Sequence, residues 1–385
     1  MIKRKLELPQ DRSCLLLGPR QTGKTTLVRA SLPRDSWSVD LLSHDAAMRY
    51  SKDPSLFHRE AEERLEAGTQ VIFVDEVQKV PALLDEVHSL IEDRGARFIL
   101  TGSSARRLRR GGANLLAGRA RVRRLHPLTL GEMGDGFDLE RVLRFGSLPT
   151  TVGLAPDDAA DFLRAYAETY LREEVREEGL VRDLGAFGRF LDVLAAQAGE
   201  TLNIAALARD ASVAAATVKG YLEILEDTLL GFRLEAWRKS PRARLVAHSR
   251  FHLFDTGVTN ALAQRLLAPP DRVLRGRLFE QWLVAECFRL VDYGHPETRI
   301  FYWRTNQGAE VDLLFERHGR LRAAVEIKGK PGVVGSDLRG LRSFAGAHPE
   351  VPRVVACLAP EPFRLEGVEV LPYARFLGEL GRWLS

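Results

Sequence analysis

The residues Gly18-Pro19-Arg20-Gln21-Thr22-Gly23-Lys24-Thr25 decide the fold of this chain, and they directly follow the apolar run Cys14 to Leu17. They match the pattern G-x-x-x-x-G-K-[ST], with an apolar strand predicted before it and a helix from about Lys24 after it. The glycines let backbone N–H groups come close to phosphate oxygens, and the positive end of the helix adds attraction. The stretch therefore predicts a phosphate-binding loop.

This loop is expected to bind a nucleoside triphosphate, which we take to be ATP with Mg²⁺. Lys24 is expected to reach the β- and γ-phosphates, and the Thr25 hydroxyl is expected to ligate Mg²⁺. The expected nucleotide-binding residues are the loop and one further hydroxyl, namely Gly18, Pro19, Arg20, Gln21, Thr22, Gly23, Lys24, Thr25 and Thr26.

An acidic pair, Asp75 and Glu76, follows the apolar run Val71 to Val74. The carboxyl ends of strands are where open α/β sheets bind ligands. We expect Asp75 to hold Mg²⁺ through water and Glu76 to polarise the attacking water. Alone, a strand that ends in two acids could be a helix cap, but downstream of a phosphate-binding loop it predicts a hydrolytic site.

Small hydroxyls and arginines supply the remaining expected groups. Ser103, or its neighbour Ser104, follows the apolar run Phe98 to Thr101 and is expected to contact the γ-phosphate or the attacking water. The alternative is an ordinary turn at the end of a strand. Phosphoryl transfer also needs a cation in the transition state, for which Arg119 is the preferred candidate and Arg106 the next. A cation that acts on a neighbouring subunit would imply a ring or another homo-oligomer.

Short apolar strands alternate with helical stretches over residues 1–125. A second strand is predicted near Ser38 to Leu42, and helices are predicted over Ser55 to Ala67 and Ala82 to Glu92. Continuous apolar strands that alternate with amphipathic helices indicate a parallel sheet covered on both faces. The fold class is therefore α/β, with the parallel sheet of a P-loop NTPase.

Four stretches resemble a widespread bacterial and archaeal family of AAA+-type ATPases: Gly-Pro-Arg-Gln-Thr-Gly-Lys-Thr-Thr (18–26), Val-Asp-Glu-Val-Gln-Lys-Val-Pro (74–81), Leu-Thr-Gly-Ser-Ser-Ala-Arg (100–106) and Leu-Ala-Gly-Arg (116–119). Phe254 to Gly257, Trp303 to Thr305 and Glu310 to Asp312 also look like this family, so the resemblance covers essentially the whole chain. It implies an AAA+-like fold, ATP as the ligand and a C-terminal region of unknown function.

The middle of the chain has the outline of a winged helix-turn-helix. A short helix over Asn203 to Asp210, a turn and a second helix over Ala216 to Thr228 precede strands rich in arginine. Thr217 and Lys219 would then face a DNA groove. The wing cations expected on phosphates are Arg238, Lys239, Arg242 and Arg244. The alternative is an element for packing or for protein–protein contact, because Lys219 is the one cation of the second helix.

The C-terminal region carries a pattern of acids that resembles the PD-(D/E)xK nuclease fold. Asp312 lies near the start of one predicted strand, Glu326 and Lys328 form Glu-x-Lys on the next, and Glu280 precedes them on an amphipathic helix. The resemblance makes Asp312 and Glu326 metal ligands, Lys328 the cation and Glu280 the helical partner. The alternatives are an ordinary strand with a Glu/Lys pair, or a domain that binds DNA without cutting it.

Composition and length limit the choice of architecture. The chain has 385 residues, 45% hydrophobic and 28% charged, which is typical of globular proteins and suggests more than one domain. Its net charge of +4 permits nucleic-acid binding without requiring it. Three separated cysteines, no secretory pattern and no long apolar run make the cytoplasm the expected compartment.

We expect four parts: a P-loop ATPase core over 1–125, a helical lid over 126–185, a winged-helix-like module over 186–260 and a nuclease-like α/β domain over 261–385. In this interpretation ATP turnover drives a homo-oligomer on DNA, including branched DNA such as a junction. The rival hypothesis is a regulatory ATPase of the nucleotide-switch type, whose C-terminal domain recognises a partner protein. Stimulation of ATP hydrolysis by DNA would favour the first of these.

Overall fold

The computed structural model describes residues 2–104, 115–170, 183–238 and 249–384. The chain divides into two compact units. Among the described residues, the first unit comprises 2–104, 115–127 and 223–230, and the second comprises 128–170, 183–222, 231–238 and 249–384. The finer division into four parts stays a prediction.

The first unit is an α/β sandwich around a five-stranded sheet. Its elements are β1 (Ser13–Leu17), α1 (Lys24–Ser31), β2 (Ser36–Asp40), α2 (His44–Lys52), α3 (Pro54–Glu66), β3 (Val71–Asp75), α4 (Leu83–Arg94), β4 (Phe98–Gly102) and β5 (Ala120–Arg124). The strand order is β2-β3-β4-β1-β5, and every neighbouring pair is parallel.

The apolar strands of this sheet explain its architecture. All residues of β1, β3 and β4 are buried, because helices cover both faces of a parallel sheet. One of these covering helices is α4, which buries Leu83, Val87 and Leu90. The predicted parallel sheet of a P-loop NTPase is therefore confirmed.

The edge strand β2 lies about two residues earlier than the prediction near Ser38 to Leu42. Trp37 pairs with Ile72 of β3 and stacks on Phe57 at 5.7 Å between ring centroids. The paired strand therefore includes Ser36 and Trp37, and Leu41 and Leu42 follow its end. The helix α2 was also not predicted; Tyr50 is its one buried side chain, and its alanines Ala46 and Ala47 are only partly buried.

The second unit contains most of the helices. They are α5 (Leu130–Met133), α6 (Leu139–Phe145), α7 (Pro156–Ala165), α8 (Leu184–Ala196), α9 (Ile204–Asp210), α10 (Ala215–Asp227, with its last five residues in the first unit), α11 (Thr256–Leu262), α12 (Arg272–Gly294), α13 (Arg339–Ala347), α14 (Tyr373–Gly378) and α15 (Leu380–Leu384).

An eight-stranded sheet organises this unit. Its strands are β6 (Gly231–Ala236), β7 (Arg250–Leu253), β8 (Thr298–Arg304), β9 (Glu310–Arg317), β10 (Arg320–Lys328), β11 (Arg353–Cys357), β12 (Phe363–Leu365) and β13 (Val368–Pro372). The spatial order is β12-β13-β11-β10-β9-β8-β6-β7. Strands β8, β9 and β10 are antiparallel neighbours, while β11 runs parallel to β10.

The two faces of the sheet are buried by different helices. On β9, Leu313 belongs to the same apolar cluster as Phe279 of α12, and the next residue, Leu314, belongs to the cluster of Phe344 of α13. Side chains that follow each other on a strand point to opposite faces. The chain order α12-β8-β9-β10-α13-β11 therefore makes a sheet with one of these helices on each face.

The two strands predicted as the wing of a winged helix do not form a separate ribbon. Strands β6 and β7 pair antiparallel, with Leu234 opposite Arg250, as a ribbon would. However, β6 also pairs in parallel with β8 through Glu235 and Ala236. An unpaired strand edge leaves backbone groups without partners, and here the larger sheet supplies them. The ribbon is thus the margin of the eight-stranded sheet.

In the part of the chain that the structure describes, no helix combines the length and the apolarity needed to cross a membrane. The three cysteines Cys14, Cys287 and Cys357 are buried free thiols.

Candidate functional site

The loop between β1 and α1 has the backbone that a P-loop requires. Gly23 has a φ of 88°, in the left-handed region, where an L side chain would be strained. At Gly18 a Cβ atom would lie 2.4 Å from the carbonyl oxygen of Leu125, so glycine is needed for close packing. The Lys24 Nζ is buried and donates hydrogen bonds to the carbonyl oxygens of Gly18 at 2.8 Å and Pro19 at 3.2 Å.

The structure brings the predicted metal-binding residues of this loop and of β3 together. The Thr25 hydroxyl donates a hydrogen bond to Asp75 Oδ2 at 2.8 Å. The hydroxyl of Thr101 on β4 donates to the other carboxylate oxygen of Asp75. Burial raises the pKa of the Asp75 carboxyl, while the two hydroxyls lower it. A buried carboxylate beside a P-loop hydroxyl is a donor set that fits Mg²⁺, which is commonly held by one or two carboxylates.

Glu76 is fixed by its backbone and by an amide side chain. Its φ of 58° places it in the left-handed region directly after β3, and its N–H donates to the Thr101 hydroxyl at 3.1 Å. The Gln78 amide Nε2 donates both to Glu76 Oε2 and to the Ser103 hydroxyl, the latter at 3.2 Å. The three side chains are buried and form one polar group at the carboxyl end of the sheet.

Of the two arginines predicted to stabilise the transition state, the structure describes one. Arg119 follows the short helical turn Leu115–Gly118, and its Nε pairs with Glu92 of α4. Arg106 lies outside the described residues. A cation that sequence reasoning missed is Arg4, whose guanidinium donates to the carbonyl oxygens of Thr22 and His126, both at 2.6 Å. Arg4 thus ties the P-loop to the segment after β5.

A second acidic site lies in the second unit, and we call it the carboxylate cluster. It consists of four acids and two cations: Glu280, Glu310, Asp312, Glu326, Arg250 and Lys328. The Arg250 Nη1 lies 2.9 Å from Glu280 Oε1 and 3.8 Å from Asp312 Oδ1, and its Nη2 pairs with Glu310. The Lys328 Nζ lies 2.6 Å from Glu326 Oε1. The four residues predicted from the Glu-x-Lys pattern therefore come together.

Burial and mutual repulsion change the acidity of this cluster. Burial and the charge of Asp312 raise the pKa of Glu280 to about 7 and that of Glu326 to about 8. Burial lowers the pKa of Lys328, but the neighbouring carboxylates, Glu326 first, outweigh it and raise that pKa above its usual value. Strongly shifted carboxyl groups in a concave region are typical of functional sites, although structural ion pairs produce them too.

The carboxylate cluster is not arranged as a finished metal site. Within the described ranges, no three His, Cys, Asp or Glu side chains meet in a group that could hold a metal ion. The Arg250 guanidinium lies between the acids instead, and Asp312 Oδ2 accepts a hydrogen bond from the Ile327 N–H at 2.8 Å. Two buried oxygens of the cluster, Glu326 Oε2 and Glu310 Oε1, have no hydrogen-bond partner in the part of the chain described, and the second of them is in the ion pair with Arg250.

Two of the five predicted DNA-binding residues lie within the described part of the chain. Lys219 is exposed on α10, and Arg238 is half-buried after β6. Lys239, Arg242 and Arg244 lie outside the described residues.

The stretch Phe254 to Gly257, which carries part of the family resemblance, has a structural role. The Asp255 carboxylate is buried and accepts hydrogen bonds from the N–H groups of Ser147 at 2.8 Å and Gly257 at 2.9 Å. At Gly146 a Cβ atom would lie 1.9 Å from Asp255 Oδ1. The motif therefore caps α11 and joins it to the turn after α6.

Sequence reasoning missed Thr101, Gln78 and Arg250, and local patterns pointed to only the first two. Thr101 lies close in sequence to Ser103, and Gln78 lies close in sequence to the acidic pair. This proximity to predicted site residues was a usable signal. Arg250 lies about 30 residues before Glu280 and pairs with it only because of the sheet order. No local sequence pattern indicates that contact.

Models of known protein families match three successive stretches of the chain. The family model described as "AAA domain" matches residues 10–134, and two models described as domains of unknown function match 136–267 (DUF8612) and 275–376 (DUF4143). The Mycobacterium tuberculosis protein described as "Uncharacterized protein Rv2008c" is 31% identical over 316 residues, which cover 80% of this chain and 68% of that protein. Uncharacterized protein Mb2031c of Mycobacterium bovis matches with the same values.

Among solved structures, Can2 from Sulfobacillus thermosulfidooxidans in complex with cyclic tetra-adenylate covers 97% of this chain and 100% of its own. Its identity is 10% and its TM-score 0.23, so this match carries no argument. The mycobacterial matches, in contrast, extend over 316 residues, more than any one of the three matched domains. The chain therefore belongs to the family of proteins with an N-terminal AAA domain of the P-loop ATPase type and a C-terminal DUF4143 domain.

Proposed function

We propose that this protein is a Mg²⁺-dependent ATP hydrolase that acts on DNA, including branched or junction DNA, through its second unit. The observation that carries the ATPase part is the contact between the P-loop Thr25 hydroxyl and the buried Asp75 carboxylate at 2.8 Å. The membership in a family with an AAA domain supports it. The DNA part rests on the carboxylate cluster.

In the proposed reaction the P-loop residues position the triphosphate. The Lys24 ammonium donates hydrogen bonds to two carbonyl oxygens of its own loop. It therefore already lies against the loop that would surround the phosphates. It would transfer its hydrogen bonds to β- and γ-phosphate oxygens, and the backbone N–H groups of the loop would add to them. Bound Mg²⁺ would neutralise phosphate charge, with Thr25 and Asp75 as the residues that hold it.

Glu76 is the residue we assign to the attacking water. Its carboxylate is at the end of β3, and Gln78 connects it with Ser103 of the segment after β4. Such a group positions water for attack more than it removes a proton, because phosphoryl transfer makes little demand on a base. Ser103 would then contact the γ-phosphate or the same water.

A cation that stabilises the transition state is assigned to Arg119, acting on the nucleotide of a neighbouring subunit. Its side chain is partly exposed and is paired with Glu92, which is a modest surface interaction. Arg119 would therefore lose little free energy on leaving Glu92 for a phosphate bound to another subunit. This assignment requires a homo-oligomer, so the native mass tests it directly.

The carboxylate cluster supports a nuclease-like second unit. The order α12-β8-β9-β10-α13-β11 brings one helical acid, one strand acid and a Glu-x-Lys pair to the same region, as in the PD-(D/E)xK pattern that the sequence resembles. Asp312 and Glu326 would hold the metal, which would polarise a scissile phosphate. The fit is supported by Glu326 Oε2, a buried acceptor without a hydrogen-bond partner among the described residues. Lys328 would stabilise the developing charge.

ATP hydrolysis with and without DNA tests the proposal. Wild type and Glu76→Gln are assayed with single-stranded, duplex and four-way-junction DNA, with Glu63→Gln on the exposed face of α3 as the matched control. We expect DNA to stimulate wild type with a steep dependence on salt. We also expect Glu76→Gln to lose about 10²-fold or more in kcat. A wild-type rate in Glu76→Gln would refute the role of this carboxylate.

Native mass and a cleavage assay decide between the proposed function and its rival. Cleavage of branched or single-stranded DNA with Mg²⁺ or Mn²⁺ that disappears in Asp312→Ala would support nuclease activity, and no cleavage of any substrate would contradict it. A monomer whose slow ATP turnover ignores DNA would instead indicate a regulatory nucleotide switch with a protein partner.

A further inference from the structure

Arg250 occupies the centre of the carboxylate cluster. It is 8% exposed, and one of its terminal nitrogens, Nη1, lies 2.9 Å from Glu280 and 3.8 Å from Asp312. The other, Nη2, pairs with Glu310. A buried cation with three carboxylates is uncommon unless the acids need charge compensation at that place. The strand β7 sets this position, because Arg250 pairs with Leu234 of β6.

A divalent cation bound to Asp312 would place a second positive charge close to the Arg250 guanidinium. Asp312 Oδ2 is already bonded to the Ile327 N–H, so Oδ1 is the oxygen that faces Arg250. A magnesium ion lies at roughly 2.1 Å from its oxygen ligands. An ion held by Asp312 and Glu326 would use the Asp312 oxygen that lies 3.8 Å from the Nη1 of Arg250, so the two positive charges would repel each other at close range.

A cavity next to the cluster gives Arg250 a place to go. It has a volume of about 410 Å³ and is lined by Arg250 and Glu280 together with Thr201, Arg277, Gln281 and Arg304. The guanidinium also lies over the ring of Tyr302, with 5.0 Å between its central carbon and the ring centroid. A cation–π contact of this kind can hold an arginine after it leaves its carboxylates.

We propose that Arg250 is an internal competitor of the divalent cation at the carboxylate cluster. In the metal-free state it compensates the charge of Glu280, Glu310 and Asp312. Metal binding expels it towards the cavity, where it meets the phosphate backbone of a nucleic acid that approaches the metal. Arg250 thereby sets the metal affinity of the site and couples metal loading to nucleic acid. This inference rests on the proposed nuclease-like role of the cluster and assigns a residue that the acidic pattern does not contain.

Binding of Mn²⁺ to the full-length, nucleotide-free protein tests the competition without any assay of activity. The free ion is measured by electron paramagnetic resonance for wild type, Arg250→Gln, Arg250→Lys, Arg277→Gln and Asp312→Asn. The Mn²⁺ binding that disappears in Asp312→Asn defines the cluster site. We expect Arg250→Gln to tighten this binding by about tenfold or more, since close charge pairs contribute at least that much.

The other variants separate competition from a general charge effect. Arg277 lines the same cavity but pairs with Glu200 at 3.1 Å and is largely exposed, so Arg277→Gln should change Mn²⁺ affinity by less than about twofold. Arg250→Lys keeps the charge but cannot bridge two carboxylates, so its affinity should lie between those of wild type and Arg250→Gln. Arg250→Lys also tests the competition if Arg250→Gln does not fold.

The outcomes separate the metal site itself from the competition at that site. If Asp312→Asn removes Mn²⁺ binding but neither Arg250 variant tightens it, the competition is refuted and the metal site stands. If Asp312→Asn binds Mn²⁺ as wild type does, the metal site itself fails, and with it the nuclease-like proposal. An equal gain in Arg277→Gln and Arg250→Gln would reduce the effect to local charge and overturn the specific role of Arg250.

Discussion

At the P-loop, the Asp75 carboxylate accepts hydrogen bonds from two neutral hydroxyls, whereas in the second unit the Glu280 carboxylate is paired with a buried guanidinium. Both acids have a raised pKa, and burial is the largest cause in both. The difference is in the partner. Neutral hydroxyls can turn towards an arriving metal at little cost, but under our proposal a guanidinium would have to leave before a metal could enter.

Under the proposed function, this difference would give the chain two kinds of metal site. At the nucleotide site the Thr25 hydroxyl both compensates Asp75 and is itself an expected ligand, so binding of the nucleotide with its metal replaces one contact by another. At the carboxylate cluster the compensating group would be a competitor of the metal. We expect the first site to respond to nucleotide alone, and the second to respond to metal and nucleic acid together.

The largest effect is expected when the carboxylate of the hydroxyl-bonded site is removed. Asp75→Asn should lower kcat for ATP hydrolysis by about 10³-fold, because an amide cannot replace the charge that holds the metal. Steady-state ATP hydrolysis measures it. Asp312→Asn, in the other site, should leave the basal rate without DNA unchanged within about twofold.

The matched control for this change is Asp40→Asn. Asp40 is the strand partner of Asp75 at the end of β2, but it is exposed and its carboxylate accepts a hydrogen bond from the Leu42 N–H. A loss of turnover in Asp40→Asn equal to that in Asp75→Asn would mean that any acid at this edge of the sheet matters. The comparison between hydroxyl-bonded and cation-bonded acids would then lose its basis.

The next effect concerns stability without divalent cations. Arg250→Gln should lower the free energy of unfolding by about 3 kcal/mol in EDTA, because it leaves three carboxylates without their buried cation. Thr101→Val, which removes a hydroxyl donor from Asp75, should cost only about 1 kcal/mol. Urea denaturation measures both. Equal losses in the two variants would show that the two sites are held by interactions of the same strength.

The difference between the two sites also explains how far sequence reasoning reached. The P-loop, the acidic pair and the parallel sheet follow from local patterns, since a strand, a glycine turn and a helix are adjacent in the chain. The acids of the cluster were found through a resemblance, because Glu280, Asp312 and Glu326 are separated by tens of residues.

What could not be predicted is the set of contacts that depend on sheet order. The cations Arg238 to Arg244 were predicted to lie on a basic wing, and Arg250, on the strand β7 that follows, pairs with acids because β6 joins β8 and makes the ribbon part of the large sheet. The same order buries His252 on β7, which no periodicity indicated. Long-range pairing of strands is set by the packing of the whole unit, and a single sequence does not display it.

His252 provides a third prediction, on acid stability of the second unit. Burial, with a contribution from Arg250, lowers the pKa of His252 to about 3 from an ordinary value of 6.5. The unfolded chain therefore takes up a proton that the folded chain refuses, so stability is lost as pH falls below about 6.5 towards 3. Between pH 7 and pH 5 the loss should be about 2 kcal/mol from this group.

Urea denaturation at pH 7 and pH 5 tests the role of this imidazole. In His252→Leu the pH-dependent loss should be smaller than in wild type by that amount. The control is His318→Leu, because His318 is largely exposed and pairs with Glu297 at 3.0 Å, so its removal should leave the slope nearly unchanged. An unaltered slope in His252→Leu would show that the acid sensitivity of the unit comes from its carboxylates.

The smallest effect is expected at the neutral side chain that orders the nucleotide site. Gln78→Ala removes the amide that connects Glu76 with Ser103, so the carboxylate loses a fixed direction but keeps its charge. Turnover should fall by about tenfold with an unchanged KM for ATP if, as we propose, Gln78 positions the Glu76 carboxylate without contacting the nucleotide. Gln78→Asn, which keeps a shorter amide, should recover part of the rate. A rise in KM with kcat preserved would instead show that Gln78 shapes nucleotide binding, and that the hydroxyl-bonded site depends on packing more than on the orientation of Glu76.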